Sequence, residues 1–469
     1  MLSKTAKTSD GKLLTDCRFA YAVKIHIGEN LTEKSLYCEY KALIKSAKHV
    51  SELNVCVVRN TEQRYVFSFV FPLEFNDVNY RMFERIIKSV IWIAGGVEIL
   101  IEGRSEFVER LKSEYSENGT RAFDCRFMKD VFGSFCIKSV ESINCLADKN
   151  AKLGFTLSAK GKRIGFDAGG SDRKTCALID GKVIYSEEAV WHPKTCADYA
   201  YHKNEIKTAI AKALNKLGGV DYIGISTAGI VIDGEIKASS LFESVDKADF
   251  ERYVRTIYKD VCKEFNVPVY IANDGDVAAL SGIDSNNGGK LISLALGTSE
   301  AGGYVDKDGQ ITEMLNELAF VPIYSGDGVG YDEWSGDFGC GANYLSQNSI
   351  IRLAQEYGIR FNENSTPAEK LIEVRNLFDN GDERAKRVFE KLGTYIADAI
   401  AWYTLFYDFE SVLLLGRVVS GQSGTTAIDF AEKALKLHYP ELRIKIIVPK
   451  DSEDRRLAQC FTAAKMQRK

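Results

Sequence analysis

Residues 163–179 read RIGFDAGGSDRKTCALI, and residues 291–305 read LISLALGTSEAGGYV. Each stretch passes from apolar residues through a glycine-rich turn and back into β-branched or aromatic residues, which predicts strand, turn and strand. An Asp-Gly pair follows each stretch, at Asp180-Gly181 and at Asp308-Gly309, and predicts a hairpin turn. Two copies of one pattern predict a duplicated α/β fold with a cleft between two lobes.

The rest of the chain fits an α/β body that follows a separate N-terminal domain. Helical spacing is found over residues 204–217, 249–265, 343–357, 384–407 and 426–437. Before the body, residues 64–71 predict a strand, 77–93 a helix and 97–101 a strand. A lysine-rich stretch over 147–162 marks the boundary, so we predict an N-terminal α/β domain over 1–160, a first lobe over 161–285 and a second lobe over 286–469. The last helix is a candidate to pack back on the first lobe.

Composition narrows the class of protein. The 469 residues carry 61 Lys and Arg against 65 Asp and Glu, a net charge of -4, which gives no hint of nucleic acid or an anionic membrane as partner. Residues 1–16 lack the apolar core of a secretory signal, and the apolar stretch 86–101 is interrupted by charges and glycines. Eleven cysteines are scattered without metal-binding spacing. We therefore expect reduced thiols and a cytoplasmic protein.

The two glycine turns suit a phosphate chain. Glycine lets backbone N–H groups approach phosphate oxygens without a side chain in the way. The turn at 167–171 is one such loop, and the turn at 297–303 is the other. A single turn of this kind is usually a structural hairpin, whereas two turns at equivalent places in two similar lobes are more specific. The Gly-rich Lys-Ser/Thr phosphate loop is absent.

A third motif is Asn273-Asp274, where an apolar strand over 267–272 gives way to a helix. Two interpretations stay open, because Asn and Asp favour helix N-caps and because an acid at a strand's carboxyl end can accept a hydroxyl proton. Two further strands end in glycine turns, one at Gly229 and one running from Gly416 to Gly421. Each turn fits a loop that lines the same cleft.

In this order, over about residues 161–469, the motifs resemble the ROK family, named for repressors, open reading frames and kinases. The resemblance implies the actin, hexokinase and Hsp70 superfold, a two-lobed ATPase body built from a duplicated ribonuclease H-like unit. It implies ATP and Mg²⁺ as cofactors, with Asp167 handling Mg²⁺ or a water bound to it. The nucleotide ligands it implies are Asp167, Gly169, Gly170, Ser171, Lys174, Gly297, Thr298, Gly302, Gly416 and Gly421.

The resemblance also implies an acceptor site. Asn273 is similar to a sugar ligand and Asp274 to the catalytic base, and Gly229, Glu317 and Ser240 fall where the family contacts the sugar. The expected activity is the transfer of the γ-phosphoryl group of ATP to a hydroxyl of a sugar or sugar derivative. A small-molecule sugar and, as the family suggests, a second copy of the chain are the expected partners.

The chain departs from the family where zinc is usually held. ROK proteins carry Gly-Glu-x-Gly-His and then a Cys-x-Cys-Gly-x-x-Gly-Cys-x-Glu stretch, but residues 316–320 here read NELAF and residues 334–344 read WSGDFGCGANY. Phe320 replaces the histidine, Cys340 is the single cysteine left, and Ala342 replaces the glutamate. One cysteine cannot make a four-ligand site, so we expect no zinc. The insert 324–334 is either a source of new sugar contacts or a surface loop.

The N-terminal domain shows no helix-turn-helix pattern, and its aromatic β-rich run argues against one, so nucleic acid is not expected. Two alternatives to the kinase stay open. One is a sugar-responsive regulator without catalysis, and the other is a degenerate scaffold that binds nucleotide but no sugar.

Overall fold

The computed structural model of the chain describes residues 35–59, 63–143, 155–286, 288–325, 330–449 and 452–468. The polar start over residues 1–16 lies outside the described residues, as do residues 147–154 of the boundary stretch and residues 326–329 of the insert. Within the described ranges, no helix combines the length and the apolar composition that a membrane crossing requires.

The N-terminal unit is a four-stranded sheet covered by helices. The strands follow the order β2-β1-β3-β4, with β1 antiparallel to β2 and β3, and with β4 parallel to β3. Its elements are α1 (Leu36–Ser46), β1 (Val50–Val58), β2 (Arg64–Pro72), α2 (Asp77–Ala94), β3 (Glu98–Glu102), α3 (Ser105–Glu114), α4 (Ala122–Phe132) and β4 (Cys136–Val140). The Asn76 side chain caps α2 by accepting the N–H groups of Val78 and Asn79, and Gly95 at φ 64° ends the helix.

The first lobe is built on a five-stranded sheet in the order β12-β9-β6-β7-β8. Strands β6, β9 and β12 run parallel, so their carboxyl ends meet at one edge. Its elements are β5 (Phe155–Leu157), β6 (Lys162–Ala168), β7 (Asp172–Ile179), β8 (Lys182–Val190), α5 (Tyr199–Leu217), β9 (Tyr222–Thr227), β10 (Ile230–Ile232), β11 (Glu235–Ala238), α6 (Ile257–Lys263), β12 (Val269–Asn273) and α7 (Asp274–Ser281). The helix predicted over 249–265 is divided, because a π-helical turn over Phe250–Val254 precedes α6.

The second lobe carries a four-stranded sheet in the order β14-β13-β17-β18. Its elements are β13 (Leu291–Leu296), β14 (Glu300–Val305), β15 (Tyr331–Asp332), β16 (Asp337–Phe338), α8 (Gln347–Glu356), α9 (Pro367–Asp379), α10 (Glu383–Tyr403), β17 (Ser411–Leu415), α11 (Gly421–His438), β18 (Lys445–Ile447), α12 (Ser452–Lys465) and β19 (Met466–Arg468). Both sheets contain an antiparallel pair joined by a glycine turn, β6–β7 in the first lobe and β13–β14 in the second. The predicted two-lobed α/β class is confirmed.

Helix α12 returns to the first lobe and packs on β6, β7 and β9. The approach is close enough that a Cβ on Gly224 of β9 would lie 1.7 Å from the Ala463 carbonyl oxygen, which explains the glycine at that position. The following strand β19 pairs with β5. Helix α12 and strand β19 therefore connect the second lobe to the first.

The N-terminal unit shares a core with the second lobe. One cluster of buried apolar side chains contains Phe83 and Trp92 from the N-terminal unit together with Leu318 and Trp402 from the body. The first lobe has its own cluster around α5 and α6. The N-terminal unit is therefore packed against the body and belongs to the same folded structure.

Candidate functional site

Two acids lie at the carboxyl edge of the first-lobe sheet. Asp167 is near the end of β6, and Asp274 directly follows β12 as the first residue of α7. Strand β9 lies between these strands, with Ser226 opposite Asp167 and Thr227 opposite Asn273. Two strand spacings correspond to roughly 10 Å, so the two carboxylates flank one gap at the sheet edge.

Burial raises the pKa of both acids, and the charge of Asp167 adds to the shift of Asp274. The pKa of Asp274 is raised to about 7, first because the group is desolvated and second because Asp167 is negative, while the Gly275 N–H at 2.9 Å opposes the shift. Burial also raises the pKa of Asp167, and the nearby Ser226 hydroxyl and the Lys174 ammonium, with its nitrogen 3.9 Å from Oδ2, oppose that rise. Near neutral pH, Asp274 can therefore accept and release a proton.

Glu317 is brought to the same place from the second lobe. Its half-buried carboxyl has a pKa raised to about 7 by burial and by the negative charge of Asp274. The neighbouring Asn316 fixes this segment, because its Nδ2 donates to Asp276 Oδ1 at 3.0 Å, one helical position beyond the Asp274–Gly275 start of α7. Asp167, Asp274 and Glu317 thus form one acidic cluster, and the structure unites three residues that the sequence placed in separate motifs.

Asn273 caps α7 and also connects it to the Gly229 turn. Its Oδ1 accepts the Gly275 N–H at 2.7 Å, and its Nδ2 donates to the Gly229 carbonyl at 2.7 Å. Gly229 has φ 110°, and a Cβ there would lie 2.4 Å from the Ala238 carbonyl oxygen. The cap interpretation of Asn273 is therefore correct, and a sugar contact by its amide stays a prediction.

Ser240 has a less defined place. It is exposed in a 3-10 turn over Ser240–Phe242, and its neighbour Ser239 donates to the Ala228 carbonyl at 2.7 Å. The structure therefore places Ser240 after the β10–β11 hairpin without fixing its hydroxyl, and its contact with a sugar stays a prediction.

The first glycine turn is short and has cations beside it. The Gly169 N–H donates to the Asp172 carbonyl at 3.1 Å, and the Ser171 hydroxyl donates to Asp172 Oδ2 at 3.2 Å. Gly170 is exposed, and a Cβ there would lie 3.2 Å from Lys194 Cε and 3.8 Å from its ammonium nitrogen. Lys194 was missed from the sequence because it is distant from the turn along the chain, in a segment without a motif.

The second turn meets the Gly416 loop. The Gly297 N–H donates to the Ser299 carbonyl at 2.9 Å, which closes the turn. Gly416 has φ 95°, and its Cβ would lie 2.2 Å from the Leu296 carbonyl oxygen. The Arg417 Nη2 donates to the exposed Thr298 Oγ1 at 3.0 Å. Gly421 begins α11 and is exposed. Arg417 is a second cation that the sequence analysis missed, although it sits inside the predicted loop.

The prediction that Gly302 belongs to an open phosphate loop is wrong. The turn ends at Ser299, and Gly302 lies buried inside β14, paired with Leu294. A Cβ on Gly302 would lie 2.5 Å from Leu318 Cδ1, and one on Gly303 would lie 2.0 Å from the Gly275 carbonyl oxygen. These glycines allow β14 to pack closely against α7, so the helix that begins with Asp274 touches the second-lobe sheet.

The region that replaces the zinc site is filled by other interactions. The Phe320 ring lies 4.3 Å from the Trp92 ring, and Cys340 is buried beside the Lys88 ammonium, whose nitrogen is 2.5 Å from Asp337 Oδ2. An ammonium group beside the cysteine repels a metal cation, so these residues do not fit zinc. Over the described ranges, no group of three or more His, Cys, Asp or Glu side chains is arranged to bind a metal. That purified protein lacks zinc stays a prediction.

Comparisons with known proteins give the same family. The model of the ROK family matches residues 163–458, more than half of the chain. No curated protein matches. Among solved structures, the ROK hexokinase from Thermus thermophilus is 19% identical, with a TM-score of 0.50 over 65% of this chain and 96% of that chain. A ROK family transcriptional regulator, homologous to the E. coli MLC protein, is 15% identical, with a TM-score of 0.52 over 68% of this chain and 79% of that chain. At these identities the structural likeness shows the fold alone. The match of the family model shows that this chain belongs to the ROK family.

Proposed function

We propose that this chain is an ATP-dependent kinase that phosphorylates a hydroxyl of a sugar or sugar derivative. The observation that carries the proposal is the position of Asp274, which has a pKa near 7, lies beside Asp167 and Glu317, and begins the helix that touches both sheets. A general base is most effective when its pKa is close to the working pH.

Asp274 would act on the acceptor hydroxyl. The hydroxyl oxygen forms a bond to the γ-phosphorus of ATP, its proton passes to Asp274, and the bond from the γ-phosphorus to the bridging oxygen breaks to release ADP. The Asn273 cap fixes the backbone around Asp274 and therefore holds the base in place. Glu317, next to Asp274, would accept hydrogen bonds from other hydroxyls of the acceptor.

The nucleotide would lie between the two glycine turns. Backbone N–H groups at Gly170 and Thr298 are the candidate phosphate donors, and Lys174, Lys194 and Arg417 would offset the phosphate charge. Asp167 suits Mg²⁺, because its carboxylate is buried and only partly compensated by Lys174. When bound, Mg²⁺ supplies positive charge to the phosphate oxygens.

One observation favours a second candidate, a scaffold that binds nucleotide without phosphorylating sugar. Phe320 stands where the family has a histidine, and its ring packs against Trp92. The regulator alternative also remains, since a ROK regulator shares the fold. The described N-terminal residues 35–143 form a mixed sheet with four strands, which differs from the short winged helix-turn-helix of ROK repressors.

Replacing the base tests the proposal. An ADP-release assay on a sugar panel identifies the acceptor, and Asp274→Asn is then expected to lower the turnover rate by about 10²–10⁴-fold, the usual contribution of a general base. Calorimetry with a non-hydrolysable ATP analogue is expected to give binding within about twofold of the unmodified protein. Asp429→Asn on the exposed face of α11 is the matched control. A variant that keeps most of its activity would remove Asp274 from the base role, and a chain that binds nucleotide but releases no ADP with any sugar would favour the scaffold.

A further inference from the structure

The N-terminal unit holds the segment that carries Glu317. The last turn of α2 directs three backbone carbonyls at this segment, and they accept the N–H groups of Leu315, Asn316 and Glu317. The three distances, to the carbonyls of Ala94, Ile93 and Trp92 respectively, are 3.2, 3.0 and 3.1 Å. Carbonyls at the end of a helix have no partner inside the helix, so this segment satisfies them. The backbone position of Glu317 is therefore set by a helix that lies outside the two lobes.

Buried ion pairs also hold the N-terminal unit against the second lobe. Asp337 comes from the second lobe and is surrounded by three cations of the N-terminal unit, with Arg85 and Arg121 at 2.8 Å and Lys88 at 2.5 Å. Lys88 is fully buried and also lies 3.5 Å from Asp124 of α4. Removing one partner of such a cluster leaves an unpaired buried charge, so the contact permits one orientation of the N-terminal unit.

Helix α4 adds an aromatic surface next to this segment. Phe123 and Phe127, one helical turn apart, lie with their ring centroids 5.5 and 6.3 Å from that of Phe320. Trp92 is fully buried beneath the three rings, which themselves stay half-buried. Helix α4 also contacts β11, the strand whose end lies against Gly229. The rings therefore lie next to the Glu317 segment, on a helix that also contacts the hairpin that follows Gly229.

We propose that α4 is a wall of the acceptor site, and that Phe123 and Phe127, together with Phe320, select a sugar derivative with an apolar substituent. This inference rests on the proposed kinase function, because it places the wall beside Glu317 and Asp274. A phenylalanine ring offers no hydrogen bond to a hydroxyl, whereas it gains from burying an apolar group of a ligand. The position that would bind a hydroxyl through a histidine here faces other aromatic rings. A glycoside with an aryl or alkyl aglycone fits this wall better than a free hexose does.

Matched glycosides test the wall. For glucose, galactose, mannose and N-acetylglucosamine, the methyl and phenyl glycosides are titrated by calorimetry into the full chain in the presence of a non-hydrolysable ATP analogue. We expect the phenyl glycoside of the recognised sugar to bind at least tenfold more tightly than its methyl glycoside. In Phe123→Ala and Phe127→Ala, this ratio is expected to fall to within about twofold, with the Kd of the ATP analogue unchanged.

The controls separate a specific contact from a general loss of structure. Phe75→Ala removes a half-exposed ring of the same unit at the far end of α2, which at 18 residues is roughly 27 Å long, and it is expected to keep the full ratio. Phe127→Leu keeps apolar bulk and is expected to give an intermediate ratio.

Each remaining outcome decides the matter. Equal binding of methyl and phenyl glycosides, or a phenyl preference that survives in both alanine variants, overturns the wall while leaving the kinase intact if ADP is still released. Binding of the ATP analogue without binding or phosphorylation of any sugar overturns the proposed function. The proposal that α4 is a wall of the acceptor site is then overturned as well.

Discussion

Gly275→Ala tests whether the contact between α7 and β14 positions the base. Gly275 follows Asp274, and a Cβ added to it would lie 2.0 Å from the Gly302 carbonyl oxygen. Since real Cβ atoms stay at least 3.0 Å from such an atom, the two backbones must separate by about 1 Å, the difference between 3.0 and 2.0. Overpacking of this kind costs about 1–3 kcal/mol, and the better helix propensity of alanine returns roughly 1 kcal/mol. The net loss of unfolding free energy is therefore expected to be small, about 0–2 kcal/mol.

The catalytic loss is expected to be larger than the loss of stability. A displacement of about 1 Å in a catalytic group can lower the rate by about 100-fold, so kcat should fall far more than the melting temperature. Turnover is measured by ADP release, and stability by thermal and urea unfolding. Gly282→Ala is the matched control at the end of α7, because Gly282 has φ -81° and its added Cβ would meet only leucine side chains, the nearer at 2.9 Å. A Gly275→Ala protein with unchanged kcat would refute the argument that this contact holds Asp274.

Two further predictions concern pH and metal. Because the pKa of Asp274 is raised to about 7 and the base must be ionised, kcat/KM is expected to rise with pH and to level off above about pH 7; a flat profile between pH 5.5 and 8.5 would contradict this assignment. The same shift gives the folded chain a proton that the unfolded chain has lost between about pH 4 and 7, so the contribution of Asp274 to the free energy of unfolding falls as pH rises through that range. Elemental analysis is expected to find less than about 0.1 zinc per chain, since a four-ligand site is missing, and EDTA should leave the unfolding curve unchanged. Stoichiometric zinc would show that the interpretation of Phe320 and Cys340 is wrong.

Elements with clear local boundaries could be predicted from the sequence. The strand, turn and strand predicted over 291–305 begin with β13 at Leu291–Leu296, because an apolar run there is bounded by Lys290 and by the glycine turn. The helix predicted over 77–93 is found at Asp77–Ala94, where an asparagine cap and a glycine define both ends. In both cases the signals that set the boundaries are carried by the residues themselves.

The sequence is insufficient where a distant contact decides the structure. Gly302 and Gly303 have the composition of a turn, yet β14 begins at Glu300 because these glycines let the strand pack against Gly275. The Asn273 amide suits both a helix cap and a sugar ligand, so the residue type alone does not decide between these two interpretations. Lys88 indicates a buried ion pair, since a lysine inside an apolar helical run needs a buried partner. Nothing near it in sequence identifies that partner as Asp337.

At the junction between the N-terminal unit and the second lobe, one set of contacts provides stability and another fixes the relative orientation of the two parts. The cluster of Arg85, Lys88, Arg121 and Asp337 gives little net stability, because separation of the two parts would return each charge to water and recover its hydration. Association must therefore be driven mainly by apolar burial around Trp92, supported by the three hydrogen bonds that the Glu317 segment donates to carbonyls of α2. The ions act on geometry, because a rotated arrangement would leave Asp337 buried without a partner. A metal site would perform both tasks with one ion, whereas this chain performs them through contacts with a second folded unit.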